Sequence, residues 1–162
     1  YQSLPPLPFV PGMEAAGLVS AVGEGVSHRK LGDRVMAKIN YGGYAEQAIA
    51  PEKHCYNFPE SMSFTQAAAM GIVYQTAHFA LIDRAQFAPG ETVLVNGASG
   101  GVGLAAVQLA KALGATVLAG VSNREKAEVA LEGGADYIID LAAMDLKESV
   151  QGHRFVQLVF RT

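Results

Sequence analysis

Asn96-Gly97-Ala98-Ser99-Gly100-Gly101-Val102-Gly103 decides how the second half of this chain is read. Thr92-Val93-Leu94-Val95, just before it, is a short and wholly apolar run that predicts a buried strand. Just after it, Val102, Ala106, Leu109 and Leu113 recur at spacings of four, three and four, which predicts an amphipathic helix with those residues inward. Between strand and helix, Ala98-x-Gly100-x-x-Gly103 is a pattern in which each small residue has a task. The first permits a tight turn, Gly100 lets the backbone approach a diphosphate, and Gly103 lets the helix pack closely on the strand. The helix then turns unpaired N–H groups and a positive dipole end toward the phosphates. Main chain from Ala98, Ser99, Gly100, Gly101, Val102 and Gly103 is therefore expected to hold a dinucleotide. A glycine turn that only reverses the chain needs no strand and helix around it. No Lys-Ser or Lys-Thr follows the glycines, which excludes a mononucleotide P-loop.

Outward from that loop the order is regular. Thr116 to Val121 reads as a second buried strand, Arg124 to Leu131 as a helix stopped by Gly133-Gly134, and Tyr137-Ile138-Ile139 as a third strand, with Gly114 a C-cap candidate. Strand, helix, strand, helix, strand is the signature of an α/β fold with a parallel sheet. Upstream, Ser63 with Gln66 three residues later forms a capping-box pattern that starts a helix, and a second helix is expected over about 74–84. Before residue 64 the composition shifts. Gly and Pro are frequent, and short apolar runs at 17–23, 33–37 and 44–49 predict short strands in a small barrel. Two regions result, 1–63 and 64–162.

The second strand's end selects the cofactor. An acid about twenty residues past the last glycine grips a ribose 2′-hydroxyl. Ser122 stands nineteen residues after Gly103, in Val121-Ser122-Asn123-Arg124-Glu125-Lys126, and no acid closes the strand. A hydroxyl on Ser122 and cations on Arg124 and Lys126 suit a 2′-phosphate, so NADPH is expected over NADH. The competing reading makes Arg124 and Lys126 ordinary first-turn residues, with Glu125 weakening their field.

Composition bounds the rest. Among 162 residues, 50% are apolar and 17% charged, with 12 Lys and Arg against 15 Asp and Glu and a net charge of −3. That is ample core material and no basic patch, so neither nucleic acid nor an anionic membrane surface is expected as partner. No apolar stretch approaches the length of a membrane helix. The single cysteine, Cys55, excludes an intrachain disulfide and a four-cysteine zinc site and fits a reducing, cytoplasmic compartment. The N-terminus, Tyr1-Gln2-Ser3-Leu4-Pro5-Pro6, lacks both an initiator Met and a signal-peptide pattern, as in a piece of a longer protein.

Several motifs in one order carry a resemblance. Pro8-Phe9-Val10-Pro11-Gly12-Met13-Glu14-Ala15-Ala16-Gly17, Gly32-Asp33-Arg34-Val35, Gly42-Gly43-Tyr44-Ala45-Glu46, Ala88-Pro89-Gly90-Glu91-Thr92 and the glycine loop stand as in medium-chain dehydrogenases/reductases. Over roughly residues 1–148 the chain most resembles their zinc-free quinone oxidoreductase branch, the zeta-crystallin-like proteins. The resemblance implies part of a GroES-like β-barrel followed by a Rossmann-type doubly wound parallel sheet, with NADPH in the cleft between. It implies further barrel strands before Tyr1 and a longer sheet after residue 150, both missing here. Residues 151–162 lack the Gly-Val-Asp-Val-Val-type strand expected next, although Phe155 to Phe160 have strand periodicity of their own. A shifted reading frame or an altered splice end would explain the tail as well as true divergence.

The resemblance also implies roles. Zinc-dependent relatives carry Gly-His-Glu where this chain has Gly12-Met13-Glu14, and Met is a poor zinc ligand, so no catalytic metal is expected. Glu14 is expected to tie down its own turn. His28, His54, His78 and His153 are surface or packing residues, and Cys55 a small buried one. By family position Thr76 lies beside the nicotinamide, with Tyr41 and Tyr1 as weaker candidates for the acceptor pocket. Asp140-Leu141 stands where relatives often place a Tyr that helps with the 2′-phosphate. The activity implied is hydride transfer from NADPH to a quinone or activated enone. A nucleotide-holding but catalytically silent protein and an enoyl-thioester reductase stay open as alternatives. The open sheet edge and incomplete barrel predict a homo-oligomer or a marginally stable chain.

Overall fold

The computed structural model describes residues 5–143 and the backbone of residues 156–159. Contacts divide the chain into two units, Tyr1–Ile72 and Val73–Thr162.

The first unit is built on an antiparallel three-stranded sheet in the order β1-β2-β3, with β1 at Glu14–Leu18, β2 at Arg34–Lys38 and β3 at Cys55–Asn57. In register, Ala16 faces Met36 and Met36 faces Tyr56. Two expectations are corrected. The first strand begins earlier than the run at 17–23, and residues 44–49 form no strand, with Tyr44 and Ile49 largely exposed. Their place in the sheet goes to β3. The reason lies in the Gly-Gly step before Tyr44. There the N–H groups of Gly42, Gly43 and Tyr44 donate to the carbonyls of Val10, Gly12 and Pro11, which uses the donors a regular ladder would need. A Cβ on Gly43 would lie 2.6 Å from the Glu14 carbonyl oxygen, so only glycine permits this approach. Arg34 locks the far side. Its guanidinium stacks over Phe58 and Phe64 at 4.7 and 4.3 Å and donates to the Met62 carbonyl.

The capping box forms as the sequence predicts. The Gln66 amide donates to Ser63 Oγ at 3.2 Å, and the Ser63 amide donates to Gln66 Oε1 at 2.9 Å. From there α1 runs unbroken over Phe64–His78 and passes into a π turn over Phe79–Arg84, where two helices had been expected. No Pro interrupts this stretch, and Gly71 serves another purpose described below.

The second unit holds a parallel sheet in the order β6-β5-β4-β7, from β4 (Thr92–Asn96), β5 (Thr116–Val121), β6 (Tyr137–Asp140) and β7 (Val156–Val159). The short tail strand does form. It pairs parallel with β4, Val93 opposite Val156, on the side away from β5. Between strands lie α2 (Gly101–Ala112), over β4 and β5, and α3 (Arg124–Glu132), over β5 and β6. Val93, Val95, Val107, Val117, Ala77 and Leu81 are fully buried in one core. Each branched side chain there is worth about 2 kcal/mol relative to exposure.

One expected face of α2 is displaced. Gly103, Ala106, Val107 and Ala110 are buried, whereas Leu109 is only partly buried and Val102 and Leu113 are intermediate. Close packing of helix on strand selects small residues, which carry little weight in a hydrophobic pattern. Gly114, at φ +88°, ends α2 as predicted.

Lys111 on α2 and Asp136 ahead of β6 form a surface clamp. Lys111 Nζ lies 2.5 Å from Asp136 Oδ1, and the Val117 amide donates to Oδ2 at 2.8 Å. The Lys111 ammonium first, and the amide second, hold the Asp136 carboxyl below its ordinary value. A carboxyl held low in the fold adds stability above the unfolded value, about pH 4, and loses it as pH falls through the lower folded value. Asp136→Asn is therefore expected to melt earlier than the parent at pH 7. The gap should narrow as pH falls below about 4, the unfolded value, when both are followed by circular dichroism.

Candidate functional site

Because β4 and β5 run parallel, the turns that leave them lie at the same carboxyl edge of the sheet, where open α/β sheets receive ligands. The glycine loop leaves β4. Gly97 takes a left-handed conformation at φ +72°, and the amides of Gly97 and Ala98 both donate to the carbonyl of Gly120 on β5, at 3.0 and 3.3 Å. The loop is thus fastened to the neighbouring strand. Gly120 is itself buried, and a Cβ there would meet Leu141 at 3.2 Å.

Gly100 is the N-cap of α2 in extended backbone, with no side chain capping the helix. The Gly100 amide returns to the Gly97 carbonyl, and Leu104 is the first amide to bond back into the helix. Among the described residues no partner is found for the amides of Gly101, Val102 and Gly103. These are the orphan donors of a helix start. Gly103 is buried, and a Cβ on it would overlap the carbonyl oxygen of Gly97. The loop geometry therefore fits a diphosphate: small residues, free amides and a helix dipole converge on one point.

The end of β5 supplies the second part. Ser122 Oγ accepts from Lys126 Nζ at 3.1 Å, which brings two of the expected residues together. Asn123, which the sequence reading passed over, is the N-cap of α3 and accepts from the Lys126 amide at 2.9 Å. Its signal was present, since Asn directly before a helix is a favoured cap. Arg124 is not drawn into the group. It pairs with Glu128 at 3.3 Å on an exposed surface. Among the described residues no carboxylate joins Ser122 and Lys126, so the residues fit a 2′-phosphate. At 140–141, Asp140 accepts from the Ala142 amide and Leu141 packs over Gly120, so that corner is closed by its own turn.

Thr76 lies on α1, one turn beyond Val73. Val73 Cγ1 is 3.4 Å from the place a Cβ on Gly101 would take, so this face of α1 abuts the start of α2.

In the first unit Glu14 behaves differently from expectation. Its Oε1 accepts from the Ile72 amide at 2.7 Å, which ties β1 to α1 rather than to its own turn. Gly71 makes room, because a Cβ there would stand 2.7 Å from Oε1. An open groove of about 420 Å³ is bordered by Met13, Glu14, Tyr44, Thr65 and Ala69. Tyr44, not Tyr41, reaches it, while Tyr41 meets Phe9 edge to face at 6.4 Å. Tyr1 and His153 lie outside the described residues. The donors here do not fit zinc: Met13 offers a thioether, Glu14 is engaged, and no three His, Cys, Asp or Glu cluster among the described residues. His28 and His78 are exposed, and Cys55 is half-buried, its thiol pushed up by burial.

The alcohol dehydrogenase GroES-like domain matches residues 1–60, and the zinc-binding dehydrogenase domain matches residues 101–162. The chain belongs to the quinone oxidoreductase branch of the medium-chain dehydrogenases/reductases. It is 45% identical to human quinone oxidoreductase over 141 residues, covering 86% of this chain and 43% of that protein. It is 43% identical over 151 residues to the human synaptic vesicle membrane protein VAT-1 homolog, covering 93% and 38%. The structure of Escherichia coli quinone oxidoreductase complexed with NADPH superposes with a TM-score of 0.82 at 39% identity, covering 92% of this chain and 46% of that one. The chain therefore spans less than half the length of these relatives. The family match through residue 162 also takes in the tail that looked foreign by sequence. Among the described residues no helix is long and apolar enough to cross a membrane.

Proposed function

We propose that this chain forms the NADPH-holding part, with some of the catalytic barrel, of a zinc-independent oxidoreductase that passes hydride from NADPH to a quinone or an activated enone. The observation that carries the reading is the pairing, at one sheet edge, of three amides at Gly101, Val102 and Gly103 that have no partner among the described residues with an acid-free strand end where Lys126 meets Ser122. Main chain from Ala98 to Gly103 holds the diphosphate, and Ser122 with Lys126 receives the 2′-phosphate. Arg124 can join them, because its exposed pair with Glu128 is worth only about 0.5 kcal/mol. Thr76 orients the nicotinamide end. When bound, NADPH supplies the hydride, and the protein supplies orientation. A quinone takes its protons from solvent, so no metal or strong acid is needed at the acceptor.

Titration of the 162-residue chain with both nucleotides tests this reading. Tighter binding of NADPH than NADH is expected, and NADPH consumption with a simple quinone supports the full activity. NADPH binding without turnover leaves this piece a holding role only, and binding of neither nucleotide overturns the proposal. Ser122→Asp should move the NADPH-to-NADH affinity ratio toward NADH by on the order of tenfold, because a carboxylate repels the added phosphate and accepts from a ribose hydroxyl.

A further inference from the structure

Tyr74 and Gln108 make a contact that cofactor binding does not require. The Tyr74 hydroxyl, on α1, donates to Gln108 Oε1 on α2. Tyr74 is half-buried against the core, while Gln108 is exposed. Val73, the residue before Tyr74, abuts Gly101 at the start of the same helix. Seven residues, about two turns, separate Gly101 from Gln108 along α2. The segment that carries Thr76 is thus pinned to α2 at two levels, one apolar beside the glycine loop and one polar farther down.

We propose that the Tyr74–Gln108 hydrogen bond is a positioning strut that sets Thr76 against the glycine loop, and so fixes the nicotinamide half of NADPH relative to its phosphates. This rests on the NADPH reading above. Val73, Thr76 and Ala77 share one helical face by their spacing of three and four. Ala77 is fully buried and cannot shift without opening the core, and rotation of the helix about Ala77 is resisted by contacts on its flanks. Tyr74 supplies a polar one. Loss of its hydroxyl leaves the diphosphate amides and the Ser122–Lys126 pair as they are, and loosens only the end at Thr76.

Two ligands separate these ends. 2′,5′-ADP probes the adenosine and 2′-phosphate half, and NADPH probes both halves. In the 162-residue chain, Tyr74→Phe and Gln108→Leu are each expected to weaken NADPH about fivefold, the loss of one neutral hydrogen bond, while changing 2′,5′-ADP less than twofold. The double variant should be no worse than either single one. Gln108→Glu keeps an acceptor and should retain parental NADPH affinity. Gln108 is exposed, so its variants report even where Tyr74→Phe folds poorly. Equal losses for both ligands, or no loss for NADPH, would overturn the strut. Failure of the parent chain to bind either ligand is a different result and would overturn the NADPH reading itself.

Discussion

Gly103→Ala is expected to lower the melting temperature of the chain by on the order of 10 °C, equivalent to roughly 3 kcal/mol in a domain of this size. The added methyl would occupy the space of the Gly97 carbonyl oxygen, with the Ala98 Cα only 3.0 Å away. Neither neighbour can yield cheaply. Gly97 and Ala98 are fastened by two amides to Gly120, and Ala98 is fully buried. To admit the methyl, α2 must lift from β4, which opens the packing of Ala106, Val107 and Ala110 behind it. Gly101→Ala is the matched control. Its methyl meets only Val73 Cγ1 at 3.4 Å, and Ala favours a helix over Gly, so stability should hold or rise slightly. Thermal melts of both variants decide the matter, and a Gly103→Ala chain that melts with the parent would show that the loop is not packed as described.

Gly100→Asp is expected to do the opposite: to abolish NADPH binding, by a hundredfold or more, while the fold survives. Gly100 sits at φ −77°, ψ 166°, ordinary extended backbone that any residue adopts. It is the N-cap of α2, and Asp is among the best residues for that position, since its carboxylate accepts from the second or third amide of the helix and favours the dipole. The same carboxylate then claims the amides offered to the diphosphate and sets a negative charge against it. Two or more units of phosphate charge held near 4 Å from a fixed carboxylate cost several kcal/mol at the effective dielectric of a protein surface. Isothermal titration beside a thermal melt reads both halves. Undiminished NADPH affinity in Gly100→Asp would remove the loop from the binding site.

The second unit was legible because its elements are punctuated by residues with one job each. Gly114 and Gly134 stop two helices with left-handed backbone, and runs such as Thr92–Val95 are short and apolar, as a buried strand requires. The first unit was less so. Its backbone bonds are set by the meeting of Gly12 with Gly43, 31 positions apart, which no local pattern announces, and the short apolar run at 44–49 lost its sheet position for that reason. Within the candidate site, the place of the loop before α2 and of Ser122 after β5 was readable by count. The bond from Ile72 to Glu14 and the place of Tyr44 beside the groove depend on long-range packing, and sequence spacing is silent about both.

The single carbonyl of Gly120, shared by Gly97 and Ala98, has an effect beyond holding a turn. It stands two residues before Ser122, so the jaws that would close on the diphosphate and on the ribose phosphate belong to one rigid caliper whose gap is set before any nucleotide arrives. On the proposed reading, a molecule bearing both groups at the right span would be gripped twice with little further loss of freedom, whereas fragments with one group would gain from one jaw alone. Selectivity for the whole dinucleotide then follows from spacing as much as from charge.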